Sequence, residues 1–203
     1  MQQEKGMDLI SKLKQFYMGR KEKLSHFDFE NVDWTDVFDP YLEGKIENPI
    51  MIIGEAPGLN EVIQKQPFVG MAGKNLDYLI SLSKYDRKKE ILITNGFPFR
   101  TFEGNKNRTP KSSELKEGAK LLLEEIKIVK PKLILLLGNS AIKTFSYLPL
   151  PNSKEVKKFE RNSINHFDFG FYKTNIGVSF HPSPISFNRK EIRQSLENFF
   201  KGI

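Results

Sequence analysis

The chain of 203 residues contains no cysteine. It therefore has no disulfide, no thiol nucleophile and no cysteine-ligated metal or cluster. Its histidines number three, His26, His166 and His181. This argues against a catalytic zinc site, which usually takes two or three ligands from histidine. No apolar run approaches the ~20 residues needed to cross a bilayer. The N-terminal stretch MQQEKGMDLISKLKQFYMGRKEKL has no signal-peptide core, because its apolar residues recur at helical spacing between lysines. A cytoplasmic location and no membrane partner are expected. Neither GxGxxG nor GxxxxGKS/T occurs, which weakens a nucleotide-binding reading. Internal repeats, low-complexity tracts and a clear domain linker are also missing.

What the chain has is positive charge. The formal net charge is +7 and the pI about 9.4, which suits a polyanion such as nucleic acid or a generic basic surface. Apolar content of 38% and charged content of 28% are ordinary for a soluble globular protein. The length suits one domain, here 1–203, divided into an N-terminal helix and lead-in loop (1–48) and an α/β core (49–203).

Residues 7–23 have the periodicity of a basic amphipathic helix. The reading preferred over a DNA- or membrane-facing helix packs Leu9, Ile10, Leu13 and Phe16 on the core. Residues 26–48 read as a lead-in loop, with Trp34 a packing anchor rather than a base-stacking platform. The β-branched run at 50–53 breaks at Gly54, as a buried parallel strand ends. Further strands are expected at 90–94, 132–138 and 176–180, and helices at 74–84, 111–129 and 189–201. Arg87, Lys88 and Lys89 read as a solvated turn. Pro131 ends the helix that carries Leu115, Leu122 and Ile126 at core spacing. These alternations predict a three-layer α/β/α fold with a central four-stranded, mainly parallel sheet. Residues 147–175 are irregular, compatible with an edge hairpin. Residues 96–110, GFPFRTFEGNKNRTP, form a long loop of the kind that is often functional.

Glu55, Asn95 and His181 each stand at the carboxyl end of a predicted strand. In a parallel sheet those ends share one edge, so the three can converge on a pocket. Taken singly, each has a plainer reading: a loop glutamate is commonly a solvated charge and Phe68 a core aromatic. Ser140, in Gly138-Asn139-Ser140-Ala141, opens a helix whose free N–H groups suit a phosphate. The alternative is an ordinary N-cap.

The order of residues adds a resemblance. GEAPGxNE at 54–61 followed by PFVGxAGKxLDxLI at 67–80 is similar to the first motif of the uracil-DNA glycosylase superfamily, nearest its family 4 branch, with Glu55 and Phe68 thirteen residues apart. HPSPIS at 181–186 resembles the second motif in its family 1 form, and TN at 94–95 matches the pyrimidine-reading asparagine. The resemblance implies hydrolysis of the N-glycosidic bond of a flipped-out uracil, with DNA, single- or double-stranded, as partner. It implies catalytic roles for Glu55, which would orient or deprotonate water, and His181, which would donate to the base. Gly54, Ala56, Phe68, Asn95 and Asn107 would hold the base. Pro57, Gly58, Ser140, Pro182, Ser183, Ile185, Ser186 and Arg189 would meet the DNA, Ile185 as wedge. No metal or organic cofactor is required, and a monomer is expected.

The pattern also departs from the family. Family 4 enzymes usually hold an iron–sulfur cluster through four cysteines. Here Phe99 stands where one would fall, and the segment around Gly118 lacks another. Gly58 occupies the place of the tyrosine that excludes thymine in family 1, which leaves a looser pocket open. A glycosylase for another deaminated or modified base, and a non-catalytic DNA-binding member, are the competing readings.

Overall fold

The structure is a computed structural model that describes residues 8–44 and 48–203. Met7 of the expected first helix, the residues before it and residues 45–47 of the lead-in loop lie outside the described residues. In chain order the elements are α1 (Leu9–Leu24), β1 (Val32–Asp33), β2 (Ile50–Gly54), α2 (Leu59–Gln64), α3 (Met71–Ser81), β3 (Ile91–Asn95), β4 (Arg100–Glu103) and β5 (Lys106–Asn107). There follow α4 (Ser112–Val129), β6 (Leu133–Leu137), α5 (Asn139–Phe145), β7 (Ser163–Asp168), β8 (Lys173–Ser179), α6 (Pro184–Phe187) and α7 (Lys190–Lys201).

The main sheet has the order β3-β2-β6-β8-β7. Its first four strands are parallel, as expected, and β7 adds a fifth, antiparallel to β8. Strands β2, β3 and β6 are buried throughout because both faces are covered, and only Thr94 and Asn95 at the end of β3 are polar. Alternate residues serve opposite layers. Met51, Ile53, Ile134, Leu136, Ile176 and Val178 meet Leu122 and Ile126 of α4 and Phe145 of α5. Ile50, Ile52, Ile93 and Leu135 meet Leu76 and Leu79 of α3 and Phe199 and Phe200 of α7. Each leucine fully buried in these layers contributes ~1.5–3 kcal/mol. Helix α4 ends at Lys130, a left-handed residue at φ 45° whose N–H still reaches Ile126 O, and Pro131 prevents continuation.

The expected first helix is a packed one. Leu13, Phe16, Tyr17 and Leu24 of α1 lie against Leu92, Phe97, Phe99 and Leu115. Beneath them Tyr17 Oη donates to Glu125 Oε1 (2.7 Å) and Thr94 Oγ1 to Glu125 Oε2 (3.1 Å). Burial raises the Glu125 pKa, although the nearby Arg20 opposes the shift. Trp34 is a packing anchor, edge-on to Phe99 at 5.1 Å.

Three expectations need correcting. The long loop after Asn95 is partly ordered: β4 pairs antiparallel with both β1 and β5 in a small second sheet, which ties the lead-in loop to it. Arg87 is not a solvated charge, since its Nη1 donates to buried Asp39 at 3.0 Å and to Ile91 O at 3.2 Å. The third helix begins at Met71, three residues before the expected start, and a further short helix, α2, precedes it.

Candidate active site

The parallel strands deliver their carboxyl ends to one edge, and the expected trio meets there. Gly54 and Asn95 are paired across β2 and β3. Glu55, Ala56, Gly58, Glu61, Phe68, Ala72, Asn95 and His181 line a cavity of about 100 Å³. That is well below the ~300–1,000 Å³ of a pocket for a drug-sized ligand, and it suits a single-ring molecule.

Phe68 and His181 face each other with ring centroids 5.8 Å apart and planes 28° from parallel. The Phe68 backbone is left-handed, at φ 55°. This conformation is strained for a bulky residue, by about 1–3 kcal/mol, so its surroundings must hold it. Two close approaches do so. A Cβ on Gly73 would lie 1.7 Å from Phe68 O, and one on Gly54 would lie 2.7 Å from both the Phe68 ring and Asn95 Oδ1. Only glycine lets the aromatic ring and the amide close over the strand end.

Glu61 completes the loop and was given no role in the sequence reading. Its Oε2 accepts from Gly58 N (3.1 Å), and its Oε1 from Val69 N (3.3 Å) and Gly70 N (3.4 Å). The available signal was its position three residues after a helix N-cap, the spacing of a capping box. Asn75 was also missed. Its Nδ2 donates to Pro182 O at 2.9 Å, joining the two motif segments.

Ser140 Oγ donates to Glu55 Oε2. The hydroxyl expected at a phosphate is directed at the carboxylate. Asn107 is exposed on β5 rather than lining the cavity. Its Oδ1 accepts from Arg100 Nε (2.7 Å), and its Nδ2 lies 2.8 Å from where a Cβ on Gly58 would stand. Glu61 Oε2 lies 2.7 Å from the same point, so both side chains crowd the glycine. Pro57 and Pro182 are buried. Ser183 caps α6, its Oγ accepting from Ser186 N at 3.3 Å, and lies 3.2 Å from Ser186 Oγ. Ile185 is 74% exposed on that helix, and Arg189 is exposed before α7.

Burial lowers the His181 pKa, against the smaller opposing effect of the Glu55 and Glu61 charges. The imidazole is therefore held neutral and keeps one N–H donor. A carboxylate and a neutral N–H donor on one small cavity can stabilise separated charge, cationic near Glu55 and anionic near His181.

The family model of the uracil DNA glycosylase superfamily matches residues 42–201. The chain belongs to that superfamily. Among its relatives, the type-4 uracil-DNA glycosylase of Saccharolobus solfataricus is 31% identical over 163 residues, covering 79% of this chain and 72% of the relative. That of Pyrobaculum aerophilum is 29% identical over 163 residues, covering 79% and 81%. That of Thermotoga maritima is 35% identical over 103 residues, covering 51% and 52%.

The iron–sulfur cluster that the family 4 resemblance implies does not fit this member of the superfamily. Phe99 is fully buried between Trp34 and Phe97, and a Cβ on Gly118 would lie 2.5 Å from Gly96 O. Aromatic packing occupies the region, with no thiolate to offer iron.

Proposed function

We propose that the protein is a uracil-DNA glycosylase that hydrolyses the bond between deoxyribose C1′ and uracil N1 in DNA, leaving an abasic site for base excision repair. The observation that carries the proposal is the convergence of Glu55, Asn95, Phe68 and His181 on a cavity of one-ring size, within a chain of this superfamily. That size also favours a pyrimidine over a deaminated purine.

The target base must leave the duplex, at a cost of a few kcal/mol. Ile185, apolar and exposed, is suited to wedge into the vacated stack. Phe68 covers one face of the base, and the Asn95 amide offers both a donor and an acceptor to its O4/N3 edge. As the C1′–N1 bond breaks, its electron pair goes to the base. His181 donates a hydrogen bond to O2, where the negative charge gathers. Glu55 lies near the sugar cation and accepts the proton of the water whose oxygen adds to C1′. Ser140 orients the carboxylate. Ser183, Ser186 and Arg189 are positioned for the flanking phosphates, which align the strand without reading sequence. A DNA substrate supports a cytoplasmic location. Among the described residues, no helix is long and apolar enough to cross a membrane.

The test is a single-turnover assay on end-labelled oligonucleotides carrying one uracil, in EDTA, followed by alkali. Alkali-dependent breaks that vanish in Glu55→Gln and His181→Ala are expected. Intact oligonucleotides with folded, DNA-binding protein would reject the uracil reading.

A further inference from the structure

The carboxyl edge of the sheet extends beyond His181. Because β7 runs antiparallel to β8, it begins at the same edge at which β8 ends. Arg161 lies two residues before this start. Its Nη1 donates to Ser179 O at 2.7 Å, its Nη2 donates to Asn139 Oδ1, and its guanidinium lies 5.5 Å over the Phe180 ring. These three partners adjoin the site directly. Asn139 precedes Ser140, and Phe180 precedes His181.

Four other arginines are paired with acids: Arg20 with Asp36, Arg87 with Asp39, Arg108 with Glu114 and Arg193 with Glu197. Arg161 is half-buried, burial pushes its pKa down, and among the described residues no carboxylate is bonded to it. A partly desolvated guanidinium held by two neutral acceptors has an uncompensated charge and unused N–H donors. Asn139 adds to them. Since its Oδ1 faces the guanidinium, its NH₂ group is presented elsewhere. The result is a patch rich in donors, with one fixed positive charge and a planar fork that matches a phosphate.

We infer that Arg161, assisted by Asn139, binds a backbone phosphate of DNA beside the base pocket. The inference rests on DNA being the substrate. It adds a further anchor for the strand beside the base pocket.

The test is binding to a fluorescent duplex without uracil, by anisotropy across a range of salt concentrations. Loss of one phosphate contact lowers the slope of log K against log salt by about 0.9. Arg161→Gln is expected to show that reduction and about tenfold weaker binding at low salt, while Arg161→Lys keeps most of the slope but not the full affinity. Asn139→Asp is a second route. It sets a carboxylate against the guanidinium without removing it, and is expected to lower the slope even if Arg161→Gln fails to fold. An unchanged slope in folded Arg161→Gln overturns the inference. So does an unchanged slope with slowed excision, which would make Arg161 a positioning residue for the Ser140 loop. The probe contains no uracil. A reduced slope in a chain that excises nothing would therefore sink the glycosylase reading and leave this one standing.

Discussion

Ser140 Oγ donates to Glu55 Oε2 across the carboxyl ends of β6 and β2, which are hydrogen-bonded neighbours in the sheet. The bond fixes one carboxylate oxygen, and in the proposed mechanism Oε1 serves the water. A hydrogen bond to a charged group contributes ~1.5–3 kcal/mol, so Ser140→Ala is expected to slow single-turnover excision about 10- to 100-fold with DNA affinity unchanged. Glu55→Gln is expected to slow it by ~10²–10⁴. Because the serine acts through the carboxylate, the double variant should be little slower than Glu55→Gln alone. Slower binding with unaltered chemistry in Ser140→Ala would assign the hydroxyl to a phosphate instead.

Gly54 lies beneath both the Phe68 ring and the Asn95 amide, the proposed base contacts. A Cβ there would come within 2.7 Å of the Phe68 ring and of Asn95 Oδ1. Both are side-chain atoms, and Phe68 can yield toward the cavity at modest cost to the fold. Gly54→Ala should therefore reduce kcat/KM at least 100-fold while lowering the melting temperature by only a few degrees, about 1–2 kcal/mol for a chain of this size. Unaltered excision by this variant would show that Phe68 and Asn95 do not need this packing.

The parallel strands were legible because burial on both faces demands unbroken apolar runs. The expected bounds at 50–53 and 132–138 differ from those of β2 and β6 by no more than one residue at either end. The edge strand β7, SINHFD, is mostly solvent-facing and lacks such a run, and β1 is two residues long, too short for any periodicity. The site was legible where chemistry coincides with a strand end, at Glu55, Asn95 and His181. It was not legible where a role depends on a partner distant in sequence. Ser140 meets Glu55 across 85 residues and Arg87 meets Asp39 across 48, and no local pattern announces either bond.

His181 is held neutral by burial, its pKa depressed from 6.5. The activity that needs its N–H donor while neutral should persist as pH falls through 6.5 and decline only below it. Stability follows the same sign. The unfolded chain takes up the proton near pH 6.5 and the native one does so only at lower pH, so the contribution is present above 6.5 and lost on acidification. Melting curves of wild type and His181→Asn, taken from about pH 7 towards pH 5, should show the wild-type advantage shrinking. A constant difference would mean that the native imidazole titrates as freely as the unfolded one.

Ile185 is 74% exposed on α6, a helix held by the Ser183 cap, and belongs to none of the apolar clusters. Folding gains little from an apolar side chain in that position, so Ile185→Ala should melt with the wild type. Its proposed role lies in the duplex, where extrusion of a base leaves a gap that costs a few kcal/mol and an apolar wedge would fill it. Excision from double-stranded DNA should fall about tenfold or more in Ile185→Ala, while excision from a single strand, which has no stack to open, should hardly change. The ratio of the two rates isolates the wedge from any general loss of binding. An equal decline on both substrates would show that Ile185 touches the strand without taking part in flipping.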